Sequence, residues 1–331
     1  IIKEKYMLKI IYVIACMAVN VYATTNHWDM GRPDAHAPIG IMGDHRHHKN
    51  EIMISIRQMN MNMSELINKT SSVSDTTALD TYTMVPTDMS MSMTMLGTMW
   101  APNNQLTIMG MIAYKSNEMN MTNGSMTSSQ STEGFGDLKL SSIYKLKDTK
   151  STQWLLNTGI SLPIGSIDES DTDGDRYAYA MQLGSGTFDL DIGTTYLTQH
   201  TNYSYGAQLM TTFRLGENDN GYSLGNQYKL NGWVQKPFTK ELSGSIRSTI
   251  RMINDIEGSD STLIASMSPS NSTEQGLTQA SVGAGINYIG KSGFLSGNRL
   301  AIEYNLPIYT NTNSTQLITE STLILGIQRE L

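Results

Sequence analysis

The sequence has one cysteine among 331 residues, few charged residues and no long apolar run. That cysteine, Cys16, lies in the N-terminal segment, so the rest of the chain can form no disulfide and no thiolate site. Lysine and arginine are not clustered and the formal net charge is −7. This argues against a nucleic-acid partner, because phosphate binding needs concentrated positive charge. After Ala23 no apolar run approaches the roughly 18 residues of a membrane-spanning helix, so none is predicted.

The N-terminal residues have the features of an export signal. Three lysines precede an apolar run at 10–19, and small residues at 21–23 supply a cleavage site, which predicts a signal peptide over 1–23. The sequence "VIAC" at 13–16 resembles a lipobox, so a lipid anchor on Cys16 is the alternative. An exported chain without helical spans can still be a membrane protein if it closes into a barrel.

Alternation of apolar and polar residues runs through most of the chain, whereas helical periodicity is almost absent. About twelve segments show this alternation, each bounded by turn residues. The connections between them alternate between long and short, as in up-and-down outer-membrane barrels with long outer loops and tight periplasmic turns. The predicted strands are 51–63, 87–100, 105–116, 134–147, 152–162, 186–199, 202–215, 221–236, 241–254, 278–289, 298–306 and 318–330.

The predicted fold class is therefore all-β, an up-and-down antiparallel transmembrane β-barrel of about twelve strands. The barrel covers 51–331, and 24–50 form a His- and Met-rich leader or plug. Lipid offers no hydrogen bonds to the backbone, so the strands must pair with one another and close. Phe188 and Ile192 alternate with Asp189, as lipid and lumenal positions should. A soluble β-sandwich or propeller is the alternative, but it needs more valine and phenylalanine than this chain has.

Methionine and histidine are distributed unevenly along the chain. Of 23 methionines, 17 lie between Met30 and Met126, and five of the six histidines precede Asn50. Thioether and imidazole groups together suit copper, and the soft thioether favours Cu(I). The first part of the chain is therefore a candidate metal-handling region.

The segment "DMSMSMTMLGTMW" (88–100) has methionine at alternate positions, opposite aspartate and hydroxyl side chains. The plain interpretation directs the methionines to lipid and the hydroxyls to the lumen. The first strand is ambiguous, because Ile52, Ile54 and Ile56 oppose Arg57. Either a bulge near Arg57 switches the phase, or the methionine row is lumenal throughout. A lumenal row would form a track for a soft metal ion.

Three histidines beside an aspartate, just before the first strand, can chelate a divalent metal ion without help from the fold. A solvated leader is the alternative, because no C-x-x-C or H-E-x-x-H motif fixes the geometry. The candidate metal ligands are Asp44, His45, His47 and His48, and along the track Met59, Met61, Met89, Met91, Met93, Met109 and Met111.

The sequence has no pattern of catalytic residues, and we expect no enzyme. His200 stands alone in a predicted short turn, no G-x-S-x-G motif is present, and the loop carboxylates show no pairing for acid–base work. Copper is the one candidate cofactor. The acidic stretch 168–175 lacks the distal glutamate of an EF-hand, because Ala180 takes that place. A solvated loop is therefore favoured over a calcium site.

Several motifs follow one another in a specific order: "HAPIGIMGDH" (36–45), "MISIRQMNMNM" (53–63), "VPTDMSMSMTMLGTMWAP" (85–102), "LTIMGMIAY" (106–114), "GFGDLKLSSIY" (134–144), "SLPIGSID" (161–168), "MQLGSGTFDL" (181–190) and "RLGENDNGYSLGN" (214–226). In order and spacing they resemble a family of bacterial outer-membrane barrels, labelled "transporter" or grouped with the MetA pathway of phenol degradation. The resemblance implies passage of small apolar or aromatic compounds. Relatives share the Met-rich and His-rich blocks, which connects the family with copper.

We therefore expect an outer-membrane channel or transporter for a small solute, with copper or another soft metal ion as the sharper hypothesis. Uptake of aromatic or other hydrophobic compounds is one alternative, and a non-transporting structural surface protein is another. A barrel of this strand number has a narrow lumen largely filled by side chains, which disfavours bulk flow. The expected partners are outer-membrane lipid, the barrel-assembly machinery and the solute or metal ion.

Overall fold

The computed structural model describes residues 28–331, so the predicted signal peptide at 1–23 lies outside the described residues. Within that range, long antiparallel strands form a closed ring. The barrel strands are β1 (Ile52–Asn68), β3 (Val85–Asn103), β4 (Leu106–Thr122), β6 (Leu138–Asp148), β7 (Thr152–Leu162), β8 (Phe188–Gln199), β9 (Ser204–Leu215), β11 (Gln227–Pro237), β12 (Leu242–Ile253), β14 (Leu277–Ile289), β15 (Asn298–Thr312) and β16 (Gln316–Glu330).

Each barrel strand pairs with the next one along the chain, and the last returns to the first. Strand β16 lies antiparallel to β1, with Ile327 opposite Ile56 and Leu325 opposite Gln58. The closed ring leaves no unpaired sheet edge, which is what a lipid environment requires of strands. The predicted fold class, a twelve-stranded up-and-down barrel, is confirmed.

Shorter elements lie in the connections between barrel strands. All but one are on the side of the long loops; the exception, Gly293–Leu295, is in the short connection between β14 and β15. The shorter elements are β2 (Ser71–Ser72), helix α1 (Asp75–Ala78), β5 (Thr127–Phe135), β10 (Tyr222–Ser223), β13 (Glu257–Gly258) and the 3₁₀ segments Tyr179–Met181, Ser268–Ser270, Ser272–Glu274 and Gly293–Leu295. The prediction of a loop over 116–134 is wrong, because β4 continues to Thr122 and β5 pairs with it. Both faces of β5 are rich in Ser and Thr, so no apolar alternation marked it as a strand. In the extension of β4, Met119 and Met121 do alternate with polar residues.

The outer surface of the barrel is apolar over most of its circumference. Alternate residues point outward and are exposed, whereas their neighbours are buried inside, as on β16, where Leu325 and Ile327 are exposed and Gln328 is buried. Such alternation between lipid and lumen is expected for a membrane barrel, with aromatic residues at its rims. The outward apolar residues include Ile52, Ile54, Ile56, Leu96, Trp100, Ile108, Tyr144, Trp154, Ile160, Phe188, Ile192, Tyr196, Leu209, Leu230, Ile246, Ile286, Ile302, Tyr304 and Leu306.

The helical segments among residues 28–331 are all too short or too polar to span a bilayer.

Candidate metal centre and lumenal cavity

Residues 28–50, here called the lumenal segment, lie inside the barrel. Buried inward-facing side chains hold its backbone: Asn157 Nδ2 donates to the carbonyl of Gly43 at 2.7 Å, and Gln208 Nε2 donates to that of Met42 at 2.8 Å. Gln235 Nε2 donates to the carbonyl of His36 at 2.6 Å. These polar contacts from several strands fix the path of a segment that has no helix or strand of its own. The lumenal segment lies within the range predicted as leader or plug; the boundary at residue 24 stays a prediction.

Three histidines of the lumenal segment form a buried cluster beside Asp44, here called the histidine cluster. The rings of His36 and His45 lie with their centroids 3.8 Å apart, and those of His45 and His47 lie 5.0 Å apart. Asp44 Oδ1 is 2.9 Å from His45 Nδ1. One ligand atom from each of His36, Asp44 and His45 fits within 4.8 Å of the others. This spacing allows one metal ion to contact all three residues.

Five ring nitrogens of the histidine cluster have no hydrogen bond of ordinary length among the described residues, although His47 Nδ1 lies 3.6 Å from Glu51 and the side chain of Gln328 lies beside His36. The five nitrogens belong to His36 (both), His45 (Nε2) and His47 (both). All three side chains are buried. An unpartnered buried polar atom costs about 1–3 kcal/mol, so several together in one place are unusual, and water or a bound metal ion would satisfy them.

Burial sets the protonation of the histidine cluster. It lowers the pKa of His36 well below the ordinary value and the pKa of His47 to about 3. Burial alone would raise the pKa of Asp44, but the interaction with His45 and the backbone N–H of Ala37 lowers it overall. At neutral pH His36 and His47 are therefore neutral and Asp44 is charged, which are the forms that bind metal ions.

The structure places the predicted ligands differently within the lumenal segment. Asp44, His45 and His47 lie in the cluster, whereas His48 is exposed and its backbone N–H donates to Glu51 at 2.7 Å. Sequence analysis missed His36, which comes close because the N–H of Ala37 donates to Asp44 Oδ2 at 2.7 Å. The sequence did contain one indication of His36, because this residue lies in a His-rich segment.

The methionine row faces the lumen, so the interpretation that directs it to lipid is wrong. Along β1 and β3 the alternation between outward and inward side chains does not switch. On β1 the isoleucines at 52, 54 and 56 are exposed on the outside, whereas Met53 and Arg57 are buried inside. No bulge lies near Arg57; the irregularities of β1 come at Met63. Outside, Gln58 bonds to Ser92 and Thr94, at 2.7 and 2.5 Å, so these polar groups satisfy one another.

Methionines on neighbouring strands lie directly opposite one another, so the row forms a continuous surface of thioethers on the lumenal side, here called the methionine wall. The inward pairs are Met59–Met93, Met61–Met91 and Met63–Met89 between β1 and β3, and Met89–Met119 and Met99–Met109 between β3 and β4; Met111 is opposite Gly97. Residues directly opposite on one face of an antiparallel pair lie within about 5.5 Å between Cβ atoms. The thioethers therefore follow one another along the barrel.

The methionine wall borders a lumenal cavity and leads to the histidine cluster. A cavity of about 500 Å³ is lined by Met59, Met91, Met93, Met95 and Met111. A small void of about 10 Å³ is lined both by Met95, Met99, Met109 and Met111 and by Asp44 and His45. At the opposite end Met89, Met119, Met121 and Met181 pack together, with Met63 and Met91 against them.

A closed antiparallel barrel with an apolar outer belt and a filled lumen defines a transmembrane β-barrel of the bacterial outer membrane. The chain belongs to the family described as "Putative MetA-pathway of phenol degradation", whose model matches residues 58–298. A search of curated proteins gave no match.

Two solved structures share this fold. The crystal structure of an outer membrane channel from Pseudomonas putida F1 has a TM-score of 0.64 and 11% identity, covering 87% of this chain and 98% of that one. The transport unit of the autotransporter AIDA-I from Escherichia coli has a TM-score of 0.50 and 11% identity, covering 87% and 93%. At these identities the likeness concerns the fold.

Proposed function

We propose that this protein is an outer-membrane channel or transporter that handles a soft metal ion, Cu(I), and that residues 1–23 direct its export. The observation that carries the proposal is the inward methionine wall that reaches the histidine cluster. Thioethers are neutral, soft ligands that select Cu(I), and imidazoles bind copper well. The wall would pass the ion between successive sulfur atoms, and the cluster would hold it.

The proposed ligands differ at one position from those expected from sequence. His36 joins Asp44 and His45, whose ligand atoms lie close enough to share an ion, and the ring of His47 lies beside His45. His48 stays a surface residue. The track consists of Met59, Met61, Met89, Met91, Met93, Met109 and Met111.

The thioether ligands, and not the charges beside them, favour a soft ion over a hard one. Lys115 is opposite Met93 in the β3–β4 register, and Arg57 is buried in the same lumenal row as Met59. These cations repel any metal ion. A hydrated Mg²⁺ or Ca²⁺ ion needs oxygen ligands, which the methionines do not supply, whereas Cu(I) gains bonds to sulfur.

Copper(I) titration of the detergent-purified protein, under anaerobic conditions, tests this function. The triple variant Met89→Leu/Met91→Leu/Met93→Leu should raise the Cu(I) Kd at least tenfold. The control Met126→Leu/Met252→Leu changes two exposed methionines away from the lumenal wall and should bind like the parent. Equal affinity of parent and triple variant would remove the proposal.

Uptake of an aromatic or other hydrophobic compound is the second candidate. The apolar methionine wall and a cavity of about 500 Å³ support it, since small-molecule sites are mostly apolar and of roughly this size. Saturable phenol binding by a protein that binds no Cu(I) would favour it. Binding of neither would favour a structural surface protein.

A further inference from the structure

Two basic side chains face each other across neighbouring strands on the lumenal side of the barrel. Lys229 of β11 is directly opposite Arg251 of β12 in the register. Both alternate with the outward-facing, exposed Leu230 and Met252, so both point inward. Like charges directly opposite each other in an antiparallel pair destabilise the sheet. The arrangement calls for a compensating negative charge.

No carboxylate among residues 28–331 forms an ion pair with Lys229 or Arg251. Asp191 attracts Lys229 electrostatically, but its carboxylate is already engaged by Lys139 and by the hydroxyl of Thr212. Neighbouring lumenal cations each have a carboxylate: Arg247 Nε lies 2.6 Å from Glu303 and Lys139 Nζ lies 3.5 Å from Asp191. Among residues 28–331, neither Lys229 nor Arg251 forms a salt bridge or a side-chain hydrogen bond, and the buried Arg251 Nε has no partner. The pair therefore has no direct carboxylate partner, and the attraction of Asp191 offsets only part of its charge.

The methionine wall lies on the other side of the same cavity. In the ring of strands, β11 is six places from β3, which is half of the circumference. Lys229 lines the cavity of about 500 Å³ together with Met91 and Met93. Other charged side chains line the same space, among them Arg57 and Lys115 on the methionine side and the aspartates 137 and 189. A ligand that contacts both Lys229 and the thioethers has an anionic group and an apolar body.

We propose that Lys229 and Arg251 bind the carboxylate of a small apolar acid whose body packs on the methionine wall. The guanidinium of Arg251 offers two parallel N–H donors to a carboxylate, and the ammonium of Lys229 adds a point charge. The carboxylate contacts use no thioether or imidazole as a ligand atom, so they can be tested apart from metal binding, although the apolar body contacts the same methionine wall.

Calorimetric titration of the detergent-purified full chain with benzoate, and with benzyl alcohol as the neutral analogue, tests the site. Lys229→Met and Arg251→Met should each weaken benzoate binding at least tenfold and leave the weak binding of benzyl alcohol unchanged. Lys229→Arg should retain benzoate affinity within about threefold. The matched control Lys236→Met, which changes an outward lysine on the same strand, should bind benzoate like the parent.

The outcomes separate this site from the proposed function. If parent and Lys229→Met bind benzoate equally, or the parent binds benzyl alcohol as tightly as benzoate or binds no benzoate, the carboxylate site is refuted. Each variant is checked for a folded barrel by the heat-dependent shift of its band on a denaturing gel. Loss of Cu(I) binding in the triple methionine variant, with benzoate affinity kept within tenfold, supports two separate sites.

Discussion

A buried imidazole without a hydrogen-bond partner lowers the free energy of unfolding unless a ligand binds to it. His36 has both ring nitrogens in that condition, next to His45 and His47. Each orphaned polar atom costs about 1–3 kcal/mol, and a metal ion bound to the nitrogen lone pair removes that cost. The histidine cluster therefore destabilises the metal-free lumenal segment and would stabilise the metal-bound one.

We expect opposite effects of His36→Leu in the two states. Without metal, the variant should raise the free energy of unfolding by about 1 kcal/mol, because a buried apolar side chain replaces an unpartnered polar one. With Cu(I), it should lose most of the metal-dependent stabilisation. Urea unfolding in lipid vesicles, with and without Cu(I), measures both. His48→Leu is the control, since His48 is exposed. The same metal-dependent stabilisation in both variants would contradict a role for His36.

The histidine cluster could be predicted from the sequence, but not the full set of residues that form it. Asp44, His45 and His47 are close in the chain, so their proximity needs little from the fold. His47 and His48 are consecutive, and consecutive side chains of an extended chain point in opposite directions. Only one of the two enters the cluster. His36 joins it through a turn fixed by the bond between Ala37 and Asp44, which local spacing does not reveal.

The lumenal segment depends on a glycine where it meets the barrel wall. The N–H of Gly40 donates to Glu303 Oε2 at 2.7 Å, and Glu303 also pairs with Arg247. A Cβ atom at Gly40 would lie 2.5 Å from Arg247 Nη2 and 2.8 Å from Glu303 Oε2. The close approach of backbone and ion pair leaves no room for a side chain.

Gly40→Val should loosen the lumenal segment and open a path through the barrel. We expect a several-fold rise in single-channel conductance in planar bilayers, because the segment fills part of the lumen. Gly232→Val is the matched control: it lies on the outward face of β11, where a Cβ meets nothing within 4 Å. If Gly40→Val conducts like the parent and the control, the segment does not obstruct the lumen.

Alternation and turn residues predicted the ends of most barrel strands to within a few residues, and both ends of β7 as observed. They failed where polar residues occupied both faces, as in β5. These patterns also gave the wrong direction for the methionine side chains. The more apolar face of a membrane strand usually meets lipid, but on these strands it faces the lumen. On β1 and β3 the outer polar groups bond to one another, so the apolar thioethers are free to face the lumen.

The stability of the whole barrel depends on lipid surrounding its closed ring of strands. Strand β15 shows the outer belt clearly: Ile302 is exposed, and its partners across the neighbouring strands, Ile286 and Leu325, are exposed and apolar as well. Ser90, outward on β3, instead has Asn62 and Glu118 opposite it. We therefore expect the first position to lie in hydrocarbon and the second in water.

An arginine at these two positions should therefore have different effects. Ile302→Arg should lower the free energy of unfolding by about 2 kcal/mol or more, since charge on the lipid face is costly within the hydrocarbon region. Ser90→Arg should change it by less than about 0.5 kcal/mol, as for an ordinary surface site. Guanidinium titration of both variants in phospholipid vesicles gives the two values. Because both side chains point away from the lumen, neither variant disturbs the cavity or the lumenal segment. A similar small change in both would mean that water, not lipid, surrounds Ile302.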